Sequence, residues 1–418
     1  MKSNYKPIGD YIHKVENRNR DLKVTRLLGL SMTKEFRETT SNIVGTDMSV
    51  YRVMSKYQFA CDFMSPIRVN KLPVVLKLDD EQNLVSPAYP VFEITDRSKL
   101  DPEYLMMWFR RPEFDRYAAF KCDAAIRGGY EWDELCETLI PVPSITKQRE
   151  IVKEYNVIQN RIALNQQLIK KLEETAQAIY KQWFVDFEFP DENGKPYKSS
   201  GGEMVFNEEL EKEIPLGWAL GELGDLINVI NGYAFGANDF KDIGDYPILK
   251  IGNITPPKIS LENTQYYSGE ITSSQTNCSV KSGDILISMT GSHMNQMSSA
   301  VGKVGRYNHK IISILNQRVS KLIPKNNSAC NEYVYSYISK EGTQKDLLMG
   351  ATGSANQANI SPTQIKALKI IIPSYGVLEK YEIYACSINK NIIFNENMNK
   401  YLNSLKDLLL SKTSKIEN

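Results

Sequence analysis

Residues 139–190 carry the feature that most constrains the fold of this chain, a long uninterrupted helical pattern that recurs at the C-terminus. Shifted by 230 residues, the segment aligns without a gap with Lys369 to Lys412. The identical positions include Pro143 with Pro373, Ile158 with Ile388, Ile162 with Ile392, Asn165 with Asn395, and Leu172 with Leu402. A non-helical region precedes each copy. The pattern therefore predicts a duplicated protein in which each half is a globular region followed by a long helix.

Both segments have the heptad spacing of a coiled coil. In the first copy, one series is Ile151, Ile158, Asn165, Leu172 and Ile179, and the second is Tyr155, Ile162, Ile169, Ala176 and Trp183. Such a double series is typical of an a/d seam. One Asn interrupts the apolar series at the same position of each copy. We hypothesise that Asn165 and Asn395 lie near the middle of an antiparallel helix pair and fix its register; alternatively, both face water at a frayed seam.

The globular regions combine short strands with helices. Strands are predicted at 27–30, 57–63, 73–78 and 89–94, and then at 226–230, 247–251, 284–288 and 311–314. Helices are predicted at 102–109, with Asp101 near the N-cap, and at 331–339. Glu103-Tyr104 and Glu332-Tyr333 stand 229 residues apart, so the duplication extends into the globular regions. The fold class is α+β.

These patterns divide the chain into five parts. They are a globular region at 1–143, a helix at 144–190, an acidic linker at 191–213, a second globular region at 214–373 and a final helix at 374–418. The linker is rich in Gly, Ser and acidic residues, which is typical of an exposed connector.

The composition is that of a soluble globular protein. The chain has 418 residues, 42% hydrophobic residues and a formal net charge of +1. Residues 186–213 hold nine acidic residues and three lysines, a net −6, so the remainder of the chain is +7. This mildly basic remainder permits DNA binding without demonstrating it. No apolar run is long enough for a membrane span. Six scattered cysteines without CxxC pairs favour reduced thiols in a cytoplasmic protein.

The sequence lacks the motifs of several enzyme classes. It has no GxxxxGK[ST] phosphate loop, no NPPY-like tetrapeptide and no Gly-rich turn of an adenine methyltransferase. The three histidines (His13, His293 and His309) stand in unrelated contexts and predict no metal site. We therefore expect a protein that recognises a ligand without catalysing a reaction.

Ordered motifs along the whole chain resemble one family. They are IPVPSxxxQREIV and AxxIYKxWFVDFEFP around the first helix, then GWxxGxLGDLI, YPILKIGNI, GDILISMTG, LNQRV and GxxNQANIS. This set closely resembles the specificity subunit of type I restriction-modification systems. The resemblance implies two target recognition domains, at 1–143 and 214–373, that each recognise one part of a split, asymmetric DNA target. It also implies that the two helices act as an antiparallel spacer with pseudo-twofold symmetry.

The resemblance also implies partners and cofactors. Two adenine methyltransferase subunits would bind the chain, and restriction subunits could join them. S-adenosylmethionine, ATP and Mg²⁺ would then be bound by those partners, and this chain would bind no cofactor or metal. Two alternatives remain: the specificity part of a single-chain type II enzyme that cuts and methylates, and a purely structural coiled-coil scaffold. A purely structural scaffold would not explain the presence of the polar loops.

Polar loops at strand and helix ends hold the candidate DNA contacts, because Arg and Lys recognise guanine edges and Asn and Gln adenine edges. The candidates in the second half are Thr290, Ser292, His293, Gln317, Arg318, Gln357 and Asn359. Those in the first half are Arg68, Asn70, Lys71, Tyr89, Arg127 and Tyr130. The alternative is ordinary solvated turns, which favour the same residue types.

Aromatic residues cluster where the first helix ends. Trp183 and Phe187 could form part of a patch that receives a methyltransferase subunit. Alternatively, they pack the helix end against its own domain.

Overall fold

A computed structural model describes residues 5–39, 45–124, 130–292, 299–325, 330–354 and 357–413, without the side chains of residues 67, 68, 123, 124 and 354. The chain divides into two compact units, Met1–Gln166 with Asn397–Asn418, and Gln167–Glu396. The first long helix, hereafter the central helix, is Ile145–Phe184, and the C-terminal helix is Tyr375–Lys412. Each long helix therefore contributes residues to both units.

The first unit is built around a small antiparallel sheet. Its four strands lie in the order Ile12–Lys14, Val91–Ile94, Phe59–Cys61 and Val74–Leu76. The other strands are Tyr5–Pro7, Leu28–Leu30, Phe36–Glu38, Arg52–Met54, Asn83–Val85 and Leu139–Pro141. The helices before the central helix are Pro66–Val69, Pro102–Phe109, Pro112–Ala124 and Trp132–Glu137. The predicted helix 102–109 is thus found at its predicted bounds, with the Asp101 carboxylate accepting from the N–H groups of Glu103 and Tyr104.

Aromatic residues form the core of the first unit. Phe59 and Phe92 are cross-strand partners whose rings stack with centroids 5.0 Å apart, and the Phe109 ring packs edge-on against both. Gln148 joins the central helix to this core. Its fully buried amide donates to the carbonyls of Lys99 and Pro143 and accepts from the Asp101 N–H.

The second unit contains three larger sheets. A six-stranded sheet has the order Ile227–Asn231, Val319–Pro324, Ile285–Ser288, Val304–Arg306, Lys258–Ile259 and Ile254–Thr255. A four-stranded sheet has the order Tyr266–Tyr267, Tyr246–Leu249, Ser313–Leu315 and Ser279–Val280. A three-stranded sheet has the order Thr290–Gly291, Gln357–Asn359 and Thr352–Ser354. The remaining strands are Met204–Asn207, Lys212–Pro215, Ala219–Glu222 and Lys369–Ile372, and the short helices are Leu223–Leu226, Ser273–Asn277, Asn331–Ile338, Glu341–Met349 and Pro362–Lys366.

The predicted duplication is visible in the hydrogen bonds of the two units. Tyr104 donates its hydroxyl to the Pro141 carbonyl at 3.1 Å, and Tyr333 donates to the Ile371 carbonyl at 2.6 Å. Each acceptor lies on the strand that precedes a long helix. In both units that strand pairs antiparallel with an early strand, Tyr5–Pro7 in the first and Ala219–Glu222 in the second.

One glycine in each unit makes the same close approach. A Cβ atom on Gly9 would lie 2.7 Å from Cys136 Cβ, and one on Gly224 would lie 2.9 Å from Lys366 Cβ. Any larger residue would push apart the turn and the short helix beside it. The motifs that begin with these glycines, GDYI at 9–12 and GDLI at 224–227, thus occupy equivalent structural positions.

The predicted heptad positions are the buried face of both long helices. Ile151, Tyr155, Ile162, Asn165 and Ile169 are buried, and Leu172, Ala176 and Ile179 are partly buried. In the C-terminal helix, Tyr381 and Asn395 are buried, and Ile388, Leu402 and Leu409 are partly buried. Asn165 and Asn395 therefore do not face water at a frayed seam.

The segment predicted as an acidic linker is ordered, which corrects the expectation of a plain connector. Met204–Asn207 and Lys212–Pro215 form an antiparallel hairpin. The Tyr197 ring stacks on Phe189 at 4.5 Å, and its hydroxyl donates to the Glu203 carbonyl. The acidic side chains remain mostly exposed. Apolar residues among the acidic ones therefore attach the segment to the second unit.

The helices among the described residues include none with the length and apolar character that crossing a membrane requires.

Candidate nucleic-acid interface

In the second unit, the three predicted polar loops meet at one edge. The Met289 N–H donates to the Arg318 carbonyl, and the Ile360 N–H donates to the Met289 carbonyl, both at 2.9 Å. Thr290 is the cross-strand partner of Asn359. Segments that lie 29 to 71 residues apart in sequence therefore form one continuous surface.

Most of the predicted contacts on this surface are accessible. Ser292, Gln317, Arg318 and Gln357 are exposed, and Asn359 is partly buried. Arg318 has no ion-pair partner among the residues that the structure describes. An unpaired guanidinium beside exposed amides is suited to contact phosphates or base edges. His293 lies outside the described residues.

Thr290 corrects a prediction. It is only 6% exposed, so its side chain is buried and does not reach a ligand. Thr290 shapes the surface through its backbone, since its carbonyl accepts the hydroxyl of the fully buried Ser288 at 2.9 Å.

In the first unit, the three predicted segments also converge, on the end of strand Phe59–Cys61. The Tyr130 N–H donates to the Phe63 carbonyl at 3.2 Å, and the two rings pack edge-on at 5.6 Å. The Cys61 N–H donates to the Pro90 carbonyl at 3.1 Å, next to Tyr89. Partial burial raises the pKa of the Tyr89 hydroxyl, and the nearby Asp62 carboxylate adds to this shift.

Asn70 and Lys71 project from a rigid turn. Both are exposed, and Asn70 adopts the left-handed conformation that ends helix Pro66–Val69. The following residue is fixed, because the Leu72 N–H donates to an Asp115 carboxylate oxygen at 3.0 Å. The same oxygen pairs with the buried Lys34 ammonium at 2.7 Å. The two polar side chains are therefore presented by a firmly anchored backbone.

Tyr130 also corrects a prediction. It is 2% exposed, its hydroxyl lies 3.2 Å from Thr138 Oγ1, and burial raises its pKa. Its ring fills the core beneath the candidate surface, so it supports that surface without reaching a ligand. The side chain of Arg68 and the whole of Arg127 lie outside the described residues.

Trp183 and Phe187 are core residues, which corrects the prediction that they form a docking patch. They are 6% and 3% exposed. The Trp183 ring packs against Tyr381 at 5.7 Å, and the Phe187 ring packs edge-on against Trp218 at 5.7 Å. They attach the end of the central helix to the second unit, as the alternative interpretation states.

Asn165 hydrogen-bonds to Asn399, four residues after Asn395 in the C-terminal helix. Asn165 Nδ2 donates to Asn399 Oδ1 at 2.9 Å, and Asn165 is 2% exposed. Asn395 is also buried but donates to the Asn391 carbonyl of its own helix at 2.8 Å. The sequence repeat identified two buried equivalent positions, but it did not identify Asn399 as the partner of Asn165.

A group of possible metal ligands in the second unit already takes part in a buried ion pair. Ligand atoms of Glu332, Glu382 and Cys386 lie within 4.8 Å of one another. Both oxygens of Glu332 accept from the Arg306 guanidinium, at 2.6 and 2.7 Å. The buried ion pair therefore gives this group a structural role.

Thr352 was missed by the sequence interpretation. It is exposed and is a cross-strand partner of Asn359. The sequence signal was the Gly-Ser-Ala-Asn run that follows it, which indicates a tight turn between two strands.

Comparison with known proteins finds type I specificity subunits among the similar sequences. Residues 215–383 match the family described as the type I restriction modification DNA specificity domain. The MjaIX specificity subunit of Methanocaldococcus jannaschii is 25% identical over 317 residues, covering 74% of this chain and 67% of the relative. The HindI specificity subunit of Haemophilus influenzae is 24% identical over 385 residues, covering 80% of this chain and 81% of the relative. Residues 215–383 thus match the type I DNA specificity domain, and most of the chain is similar to type I specificity subunits.

A solved specificity subunit has a similar fold. The crystal structure of the type I restriction-modification S subunit from M. genitalium covers 99% of this chain and 96% of its own, with a TM-score of 0.57 and 15% identity. The named relatives are specificity subunits, and this result does not favour the single-chain enzyme alternative.

Proposed function

We propose that this specificity subunit recognises a split, asymmetric DNA sequence and directs the other subunits of a type I restriction-modification complex to it. The observation that supports this most is the convergence of separate polar segments onto one surface in each unit. Segments near residues 289, 318 and 360 meet in the second unit, and segments near 62, 89 and 130 meet in the first. Because the two surfaces carry different residues, each unit recognises a different half-site.

Contacts inside each unit support antiparallel pairing of the two long helices. In the first unit, Leu410 packs in the same core as Ile151 and Tyr155. In the second unit, Trp183 packs against Tyr381. The beginning of each helix thus shares a core with the end of the other. We propose that the pair is a coiled-coil spacer with pseudo-twofold symmetry that fixes the number of unrecognised base pairs between half-sites.

The chain itself performs no catalysis in this proposal. Two methyltransferase subunits and the restriction subunits supply it, and S-adenosylmethionine, ATP and Mg²⁺ bind to those partners. With Trp183 and Phe187 in the core, we place the methyltransferase contacts on other, exposed residues of the chain.

A binding titration tests the proposal. The chain assembled with its methyltransferase subunit is titrated with duplexes that carry or lack the methylated sequence at several salt concentrations. Phosphate contacts predict that log K falls linearly with log salt, with a slope of about −0.9 for each phosphate neutralised. Equal affinity for both duplexes at every salt concentration would contradict sequence recognition.

A further inference from the structure

The three-stranded sheet of the second unit has one polar and one apolar face. Thr290, Asn359 and Thr352 are cross-strand partners and therefore share a face. Gln357 lies two residues from Asn359 and projects from the same side. On the opposite side, Ala358 is fully buried, and a Cβ atom on its cross-strand partner Gly291 would lie 2.7 Å from the Ala300 backbone nitrogen. The sheet thus packs on the domain through small residues, and its other face carries the amides of Gln357 and Asn359.

The amide of Gln357 is held by its neighbour. Gln357 Nε2 donates to Asn359 Oδ1 at 3.5 Å. This contact uses one N–H group, and Oε1 and the second N–H of Gln357 have no other hydrogen-bond partner among the described residues. One acceptor beside one donor matches the N6 and N7 edge of adenine in the major groove.

Arg318 lies at the other side of this surface. Its carbonyl accepts from Met289, and the Met289 carbonyl accepts from Ile360, so one strand separates Arg318 from the strand that carries Gln357. At a strand spacing of about 4.8 Å, the backbones of Arg318 and Ile360 are about 10 Å apart. A sheet of this width fits the major groove, which is about 12 Å wide and accepts a β-ribbon.

We propose that Gln357 recognises an adenine and Arg318 a guanine in the major groove of the half-site bound by the second unit, at two different base pairs. The inference rests on the proposed function, because it assigns bases to a surface already proposed to contact DNA. The planar guanidinium matches guanine O6 and N7 in a bidentate manner.

The test uses the whole chain assembled with its methyltransferase subunit and a pool of duplexes with the second half-site randomised. The methylated duplexes are then sequenced. Gln357→Ala should relax the preference at one A·T position, and Arg318→Ala at one G·C position of the same half-site, each by roughly 5- to 150-fold. Gln357→Glu should replace the adenine preference with cytosine, because a carboxylate accepts from the cytosine N4 amino group. Asn277→Ala, at an exposed amide on helix Ser273–Asn277, is the matched control and should leave the motif unchanged.

Three results would overturn the inference. The first is an unchanged motif in both Gln357 variants, and the second is full retention of the guanine preference in Arg318→Ala, since loss of a phosphate contact weakens binding without changing the base preference. The third is relaxation at positions in different half-sites. Failure of the proposed function itself looks different, because the wild-type complex would then methylate the pool without any preferred sequence.

Discussion

Asn165 Nδ2 donates to Asn399 Oδ1 at 2.9 Å inside the apolar seam of the first unit. A polar pair in such a seam costs stability but favours the one register in which both amides are satisfied. The neighbouring turns of the central helix bury Ile162 and Ile169, so a shifted register would place an amide against an apolar side chain. The pair therefore specifies how the helical segments of this unit align.

Truncating Asn399 should destabilise the first unit more than the small size of the removed side chain suggests. Asn399→Ala removes the acceptor of an amide that is 2% exposed, which should lower the free energy of unfolding by about 1–3 kcal/mol. Urea denaturation of the full chain measures this. Asn391→Ala, at an exposed position of the same helix, should change stability by less than about 0.5 kcal/mol.

Replacing both partners by Leu separates stability from register. Asn165→Leu with Asn399→Leu should recover most of the stability lost in Asn399→Ala, because no buried amide remains unpaired. The same variant should allow additional helix alignments, detectable by cysteine crosslinking along the seam. Equal loss of stability in the double and single variants would argue against this role of the pair.

Trp183 should behave as a core residue. Trp183→Ala removes a side chain that is 6% exposed and contacts Tyr381, and should cost about 3–5 kcal/mol of unfolding free energy. Tyr375→Ala, at a 66% exposed position, is the control and should be nearly neutral. Unchanged melting of Trp183→Ala together with lost methyltransferase binding would restore the docking interpretation.

Glu382 should make stability depend on pH. Burial raises the pKa of its carboxyl to about 7, and the Glu332 carboxylate contributes to the rise. The folded state thus binds a proton that the unfolded state releases near its ordinary value of 4.5. This contribution is fully present below that value and is lost as the pH rises through about 7.

Glu382→Gln isolates that contribution. Relative to the wild type, the variant should become progressively more stable between about pH 5 and about pH 8, because glutamine has no proton to lose. Chemical denaturation across this range measures the difference. A difference that stays constant with pH would contradict the assignment to Glu382.

Much of the fold followed from repetition and periodicity. The heptad series predicted the buried faces of both long helices, and the Glu-Tyr repeat predicted two equivalent short helices. In the structure, the tyrosines of these helices donate to equivalent carbonyls, those of Pro141 and Ile371. These features could be predicted because their sequence patterns are local or occur twice in the sequence. The short strands were found with shifted ends, since strand ends depend on tertiary partners.

The candidate site was only partly predictable. Loop composition identified Gln317, Arg318 and Gln357, which are exposed, but also Tyr130 and Thr290, which are buried. A tyrosine or threonine in a polar loop gives no local signal of which side faces the core. The partner of Asn165 was likewise unpredictable, because which residues of two helices contact each other depends on where the helices meet in space.

Exchange of the second globular region should change half of the target. Replacing residues 214–373 with the corresponding region of another specificity subunit should alter the bases recognised on one side of the gap and leave the other side unchanged. Sequencing the methylated sites of the assembled complex measures this. Alteration of both sides would contradict independent recognition by the two units.

Lengthening both helices should widen the gap without changing the half-sites. Seven residues inserted into each helix beside the Asn165–Asn399 pair preserve the heptad and add about 10 Å of helix, or about three base pairs of DNA. An insertion in the central helix alone should instead disrupt assembly, because the seams no longer match. A longer helix pair with an unchanged gap would disprove the spacer role.

Direct sequencing of modified bases tests the central claim most directly. Genomic DNA is compared between strains that carry the methyltransferase subunit with and without this chain. Recognition by two different units predicts methylation, only when the chain is present, at one asymmetric motif whose two defined parts are separated by a constant number of undefined bases. A continuous or palindromic motif, or the same methylation in both strains, would contradict it.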